Sequence, residues 1–401
     1  MESTSKINQF ILLRETLIKF AYQVFQQSKS FFSIAHIVIR ARLRNIFFPE
    51  LKKIRQPLSK QLLLEFAQRR KNLGEADWKD AQKGVYPVGT LFYNPWQDFF
   101  RYYPEVWRDI PKIWSRWQRK EYQTFSPEIE LQGYPPYYLQ NFHYQTDGYL
   151  SDMSANLYDL QVEILFYGLA DSMRRRILSP IKQGLTVFGS VPPDQIKVLD
   201  VACGTGRTLK FLRATLPQAS LFGVDLSPAY LSKANQLLSE NPEELPQLVQ
   251  ANAEKLPYPE NYFHGISSVF LFHELPPAAR QRVSDAARSW GASAVLGVPP
   301  MSNWRGFPHE RLHQDIEECF RVTKPGGVLT ICDSIQLIDT PEFEVSMNNF
   351  IATFHEPYYR NYITDNLVER LEKAGFEQVE TENYFVSKYW IARKPETISD
   401  C

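Results

Sequence analysis

The 401-residue chain is poor in cysteine, with 4 in all, at Cys203, Cys319, Cys332 and Cys401. None stands at metal-ligand spacing from another Cys or His, so neither a disulfide framework nor a metal centre is expected, and a reducing, cytoplasmic compartment is. A long apolar run is missing too. The most apolar stretch, 31–48, is broken by His36, Arg40, Arg42 and Arg44, which rules it out as a membrane span. No secretory signal is expected, because Met1-Glu2 is not a cationic start and the apolar Phe10 to Leu13 is too short. Net charge is absent as a total, with 45 Lys and Arg against 45 Asp and Glu. It is present locally: residues 1–125 carry 22 basic and 11 acidic side chains, and the remainder carries 23 and 34. The basic segment is therefore expected either to meet something anionic or to pack on the acidic half.

A hydrophobic content of 44% supports a sizeable core. Its most informative stretch runs from Ile196 to Asp225. The apolar run Val198 to Ala202 ends in Gly204-Thr205-Gly206, a helical pattern (Leu209, Phe211, Leu212, Leu216) follows, and a second apolar run, Leu221 to Val224, stops on Asp225. Strand, glycine turn, helix, strand and acid make the first half of a nucleotide-binding βαβ unit. The glycines let a ligand approach backbone amides at a helix N-terminus. Asp225, 19 residues beyond Gly206, is placed to accept the hydroxyls of a ribose. The third glycine of a dinucleotide fingerprint would fall at Leu209, which argues against NAD or FAD and for a ribose-bearing ligand without phosphates.

Further apolar runs near 246–250, 264–270, 327–335, 379–386 and 389–393 join those near 196–202 and 219–225, with helical patterns between them. Such alternation predicts an α/β fold: a Rossmann-like, seven-stranded, mostly parallel sheet with helices on both faces. Asp200, Gly204, Asp225, Asn252 and Phe270 then fall at or just after strand carboxyl ends, where such sheets bind ligands.

Five segments, in order over about half the chain, carry a resemblance: V-L-D-V-A-C-G-T-G, Q-A-N-A-E-K-L-P-Y from Gln250, V-F-L-F-H-E-L from Val269, R-V-T-K-P-G-G-V-L-T-I-C-D from Arg321, and N-L-V-E-R-L-E-K-A-G-F-E-Q-V-E from Asn366. Together they resemble the class I S-adenosylmethionine-dependent methyltransferases of the type 11 group, related to the ubiquinone/menaquinone-biosynthesis enzymes. The resemblance implies S-adenosylmethionine as cofactor, held by Asp200, Gly204, Thr205, Gly206, Asp225, Leu226, Asn252, Ala253 and Phe270. Asn252 stands where the family usually has Asp, and its amide oxygen can still accept from an adenine amino group. His273 and Glu274, just past the fourth strand, are candidates for general base or acceptor contact. The plainer alternative is a strand cap and a solvated acid. His143, with Tyr144 and Asp147, faces the acceptor if the Tyr158-Asp159 segment covers the cofactor; otherwise these are turn residues. His355, with Glu356, Tyr358 and Tyr359, lies in a region that roofs the acceptor pocket in related enzymes, and its aromatic content suits a lipophilic or quinone-type acceptor.

Three divisions follow: a basic, aromatic-rich helical extension over 1–125, a covering segment over 126–184, and the methyltransferase core over 185–401. The region 284–315, rich in Gly and Pro, reads as a sequence spliced into one amphipathic helix, either a tolerated insertion or a lid. In the extension, Ile7, Phe10, Ile11, Leu17, Ile18, Ala21, Val24 and Phe25 recur at helical spacing, and Ile34, Ile37, Val38, Ala41 and Phe48 continue the pattern. These helices either pack on the core or lie on a membrane surface. Between Val85 and Phe125, Pro87, Pro95, Pro104 and Pro111 are expected to cut the chain into short pieces. The function implied is methyl transfer to a small-molecule acceptor. The alternatives are a non-catalytic S-adenosylmethionine-binding module and a nucleic-acid methyltransferase. Nucleic acid is not the expected partner, because Phe272-His273-Glu274-Leu275 replaces the Pro-Pro motif of amino-methylating enzymes.

Overall fold

The computed structural model describes residues 2–240, 245–276 and 311–396. Three long helices come first: α1 (Glu2–Phe47), α2 (Lys60–Gln82) and α3 (Trp96–Arg119). Helix α3 corrects the sequence reading, because Pro104 and Pro111 lie inside it rather than ending it. A proline in a helix interior costs about 3 kcal/mol in lost hydrogen bonding and strain. The buried stripe Tyr102, Val106, Ile110, Ile113, Trp114 and Trp117 offsets that cost by packing with Tyr144 and Leu157.

Helices α4 (Asp152–Leu165), α5 (Ala170–Arg175) and α6 (Leu178–Gly184) lead into the sheet. Helix α4 starts three residues before the Ala155 expected, since Ser151 caps it by accepting from the Ser154 amide at 3.1 Å. The strands are β1 (Lys197–Val201), β2 (Ser220–Asp225), β3 (Gln247–Gln250), β4 (Phe263–Val269), β5 (Thr323–Ser334), β6 (Glu377–Tyr384) and β7 (Ser387–Arg393). They form one sheet in the order β3-β2-β1-β4-β5-β7-β6. The pairs among β1 to β5 are parallel, and β7 is antiparallel to both β5 and β6. The seven-stranded, mostly parallel sheet expected from the sequence is therefore present. Helix α7 (Arg207–Thr215) follows β1, α8 (Pro228–Leu238) follows β2, and α9 (Arg311–Val322) enters β5 directly. Helices α10 (Glu344–Thr353), α11 (Tyr359–Ile363) and α12 (Leu367–Lys373) fill the crossover to β6. The expected insertion over 284–315 falls largely on 277–310, outside the described residues.

The order of the strands reverses between β1 and β4, which opens a crevice at their carboxyl ends. Both strands leave the sheet through non-glycine residues in the left-handed region, Ala202 at φ 57° and Phe270 at φ 62°. Such a conformation costs on the order of 1 to 3 kcal/mol and clusters where a site is built.

The extension is tied to the sheet by a buried polar knot. Asp77 of α2 accepts from Tyr22 of α1 at 2.6 Å, from Tyr86 at 2.7 Å, and from Arg175 Nε and Nη2 at 2.9 and 2.5 Å. Other contacts between extension and core pair Asp80 with Arg176 and Asp98 with Lys233. In these links it is the acids of the basic segment that meet the core. Its bases do so through Lys29–Glu163 and Arg69–Glu342. The packing alternative thus holds without most of the extension's positive charge being used. Asp77→Ala strands Arg175, 1% exposed, without its counter-charge. We expect a loss of about 3–5 kcal/mol, read as a fall in the urea midpoint at constant slope.

Candidate active site

The crevice above β1, β2 and β4 is a cleft of about 740 Å³, counted to its open mouth. Its floor is made by the turn after β1. Gly204, at φ 54°, sits where an added Cβ would meet only the Tyr230 ring at 3.9 Å, so the turn stays open towards the cleft. Asp225, ending β2, accepts the Gly204 amide on Oδ2 at 2.8 Å and the Ser227 amide on Oδ1 at 2.9 Å. Burial raises its pKa and these amides oppose the rise. Each oxygen keeps a lone pair for a further donor.

The sequence-named residues divide here. Gly204, Asp225, Leu226, Asn252, Ala253 and Phe270 line the cleft. Asp200, Thr205 and Gly206 do not; they build the layer beneath. Asp200 is buried and accepts from Ser267 at 2.6 Å, and burial pushes its pKa up to about 7. Thr205 donates to Asp159 at 3.0 Å, which holds the glycine turn against α4. A Cβ on Gly206 would stand 3.0 Å from that of Ala234, so this glycine allows α7 to approach α8. Asn252 spends its amide on Glu254, with its Oδ1 accepting the Glu254 amide at 2.9 Å.

The walls are aromatic: Tyr137, Tyr138, Phe142, Tyr149, Tyr158 and Tyr230 close over the crevice. Two carboxylates, Asp225 and Glu274, line it, and among the described residues no Lys or Arg does. A pyrophosphate would find no basic side chain in such a lining, whereas a cation finds ring faces and anions.

A second cavity of about 1370 Å³ opens beside the first and shares Tyr158, Phe270 and Glu274 with it. Its lining includes Phe66, His143, His273, Phe350, Phe354 and Tyr359. Five titratable groups gather at this junction. His273 Nδ1 lies 2.7 Å from Asp333 Oδ1, and the backbone amides of Phe272 and His273 reach Asp333 Oδ2 at 2.7 and 3.3 Å. Burial lowers the His273 pKa, but Asp333 more than offsets this and the group rises to about 10. The Asp333 contact thus favours the protonated form of His273, which leaves Glu274 the better placed of the two sequence candidates to accept a proton. Glu274 accepts from the Tyr149 hydroxyl, lies 3.8 Å from His273 Nε2, and is pushed by burial up to about 7. Glu356, with no exposed side-chain surface, faces His143 Nε2 at 3.1 Å. Burial and then Glu274 raise Glu356 well above the carboxylate range, while burial and His273 push His143 down to about 3. His143, Glu274 and Glu356 each bring one oxygen or nitrogen within 4.8 Å of the others, close enough to share a proton or to hold a cation.

The remaining candidates are not brought into the cavities. His355 stacks on Tyr122 with centroids 4.2 Å apart and its Nε2 lies 3.0 Å from Gln140 Oε1, because the turn after α10 points Phe354 inward and His355 away. Tyr144 packs on Trp117, and Asp147 accepts from the Ser126 amide at 2.7 Å. Asp333 and Tyr149, partners of the reactive groups, have no local signal beyond their residue type, whereas Glu356 stands with His355 in the segment expected to roof the acceptor pocket. Only the fold places them next to His273, Glu274 and His143.

Sheet order, the glycine turn after β1 and the acid that closes β2 define a Rossmann-like α/β protein with a cleft at its switch point. A family model described as a methyltransferase domain matches residues 198–291. A demethylmenaquinone methyltransferase of Anoxybacillus flavithermus is 32% identical over 220 residues, 50% of this chain and 78% of that relative. One from Thermotoga maritima is 26% identical over 247 residues, 57% of this chain and 86% of the relative. A SAM-dependent methyltransferase structure from Aquifex aeolicus aligns at 19% identity with a TM-score of 0.33, over 53% of this chain and 90% of its own. The chain belongs to the class I S-adenosylmethionine-dependent methyltransferases.

Proposed function

We propose that the protein transfers the methyl group of S-adenosylmethionine to a lipophilic aromatic acceptor of quinol or phenol type. One observation carries this reading: an anion-lined, base-free nucleoside cleft meets a larger apolar, aromatic cavity at Tyr158, Phe270 and Glu274. The residues fit the cofactor. Asp225 would hold the ribose hydroxyls, the open turn at Gly204 would receive the amino-acid tail, and Asn252 with Ala253 would border the adenine. When bound, the sulfonium supplies a methyl group already activated for in-line attack.

The chain's own part is alignment, exclusion of water and proton removal. Glu274 lines both cavities, so it is the group placed to take a proton from the acceptor hydroxyl as the bond to carbon or oxygen forms. His273, kept cationic by Asp333, sits 3.8 Å away and favours the ionised form of Glu274. Relatives named for demethylmenaquinone suggest the first acceptor to try. Formation of S-adenosylhomocysteine with a reduced naphthoquinone, followed by mass spectrometry, tests the reading. Cofactor binding with no product from that compound or from a lipid extract would instead support a non-catalytic binding module.

We also propose peripheral membrane contact through α1. Leu13, Leu17, Phe20, Val24, Phe31, Ile34 and Val38 recur at three-, four- or seven-residue steps along one face of it and are 42–76% exposed. Arg14, Lys19 and Arg42 lie on the same helix. No helix among the described residues is long and apolar enough to cross a membrane. Such a stripe suits an interfacial helix. Co-sedimentation with anionic vesicles should fall by at least about tenfold when Leu17, Phe20 and Phe31 are changed to Ser, since loss of even one buried apolar side chain costs about 1.5–3 kcal/mol. Unchanged partitioning would remove the proposal.

A further inference from the structure

A third cavity, about 1120 Å³, continues the acceptor space away from the cofactor cleft and shares His143, Tyr158, Val162, Leu165 and Tyr167 with it. Arg40 and Arg44, one turn apart on α1, line only this cavity, and Arg55, from the segment after α1, stands at the border and lines both. Among the described residues no carboxylate lines this cavity. The contacts of the arginines leave charge unused. Arg55 Nε donates to the Thr353 hydroxyl at 2.8 Å. Arg44 donates to the side chain of its neighbour Asn45 at 3.1 Å and stacks over Trp117 at 5.5 Å, and its buried Nε has no partner among the described residues. Arg40 makes no ion pair among the described residues, and its closest electrostatic help is from Asp109, whose carboxylate accepts from Thr146. Burial, then Arg55 and Arg44, push Arg40 down to about 10.

The half-buried guanidiniums of Arg40 and Arg44, with the exposed Arg55 at the cavity border, repel each other, and an entering anion relieves that repulsion. Most of the remaining lining is apolar or aromatic, including Val106, Ile110, Ile113, Trp114, Trp117 and Leu165, with His36, Gln145 and Gln161 among its polar members. Resting on the methyltransferase reading above, we propose that the acceptor is an anionic amphiphile: a carboxylate or phosphate held by Arg40, Arg44 and Arg55 at one end, an apolar body, and the methyl-receiving hydroxyl at Glu274 at the other. The fixed separation of the arginines from Glu274 would then choose which ring position meets the methyl group.

The full-length protein can be titrated with dodecyl phosphate below its micellar concentration, with 1-dodecanol as the neutral control. We expect dodecyl phosphate to bind about tenfold or more tighter than the alcohol, as charge-assisted bidentate contacts allow. The Arg40→Gln/Arg44→Gln double variant should lose that preference. It should also melt no lower than the parent without ligand, because unpaired cations have been removed. An equal affinity for both probes, or a preference that survives the double substitution, overturns the proposal. A lower ligand-free melting temperature would make the arginines structural and overturns it too. Vesicles of phosphatidylglycerol separate the two sources of such an anion. Vesicle binding that falls in the double variant assigns the anion to a lipid headgroup; where it does not fall, the site stands on the dodecyl phosphate preference alone, which then assigns the anion to the acceptor molecule. S-adenosylhomocysteine affinity, measured in parallel, reports on the cofactor cleft alone, so failure of the methyl-transfer reading would be seen separately.

Discussion

Replacing Asp225 with alanine should weaken S-adenosylhomocysteine binding by about a hundredfold or more, the largest single effect we expect on the cofactor. Two losses add. The ribose hydroxyls lose a charged acceptor, and hydrogen bonds to charged groups contribute about 1.5–3 kcal/mol each. The turn loses its anchor as well, since the Gly204 and Ser227 amides both donate to this carboxylate at 2.8 and 2.9 Å. Left without it, the backbone that should receive the amino-acid tail is free to move. Asp225→Asn keeps one acceptor oxygen and should lose only about tenfold, on the same scale. Calorimetry decides this, with circular dichroism to confirm the fold. An affinity within about twofold of the parent in Asp225→Ala, a difference of under about 0.5 kcal/mol, would remove the site assignment.

The second large effect concerns turnover rather than binding. Glu274→Gln should lower kcat by about 10²–10⁴, the range for loss of a positioned base. Cofactor affinity should stay within about threefold, because the glutamine can still accept from Tyr149. The pH profile gives the sign. A base must be ionised, so the rate should rise through about pH 7, where burial has placed Glu274. It should fall again near pH 10 as His273 loses the proton that Asp333 holds. Asp333→Asn should draw that falling limb to lower pH. The same raised pKa is a stability statement: the His273–Asp333 pairing contributes fully below pH 6.5 and is lost as pH climbs through about 10. A flat profile between pH 6 and 10 in the parent would show that neither group limits the reaction.

The legibility of this protein follows from the range of the interactions involved. Strand, glycine turn and acid between Lys197 and Asp225 are specified by residues close in sequence, so the turn and its carboxylate are readable from the residue order itself. The same holds for the strand ends that supply Asn252 and Phe270. The positions of His273 and Glu274 are legible in the same way, but their protonation is not, because it depends on Asp333, 60 residues away, and Tyr149, 125 residues away. His355 is legible as a chemical group and not as a participant. One residue of turn geometry after α10 sends it to Tyr122 and Gln140, outside the cavity.

Arg40 and Arg44 show the same limit from the other side. In the sequence they count as charges that prevent a membrane span, as Arg42 does. Only the packing of α1 over α3 and α4 separates them, turning the two that are four residues apart into a cavity and leaving Arg42 exposed. The prolines of α3 yield in the same way, because local turn preference is worth a few kcal/mol and a buried aromatic stripe is worth more.

By itself, then, the order of residues determined a mostly parallel sheet, its glycine turn and the acid that closes β2, since these depend on periodicity and short-range backbone preference. The tertiary structure alone decided which ionisable groups share a dielectric, which histidine meets a carboxylate, and which cavities join. Those are properties of burial and mutual distance among segments remote in the chain, and no local pattern encodes them.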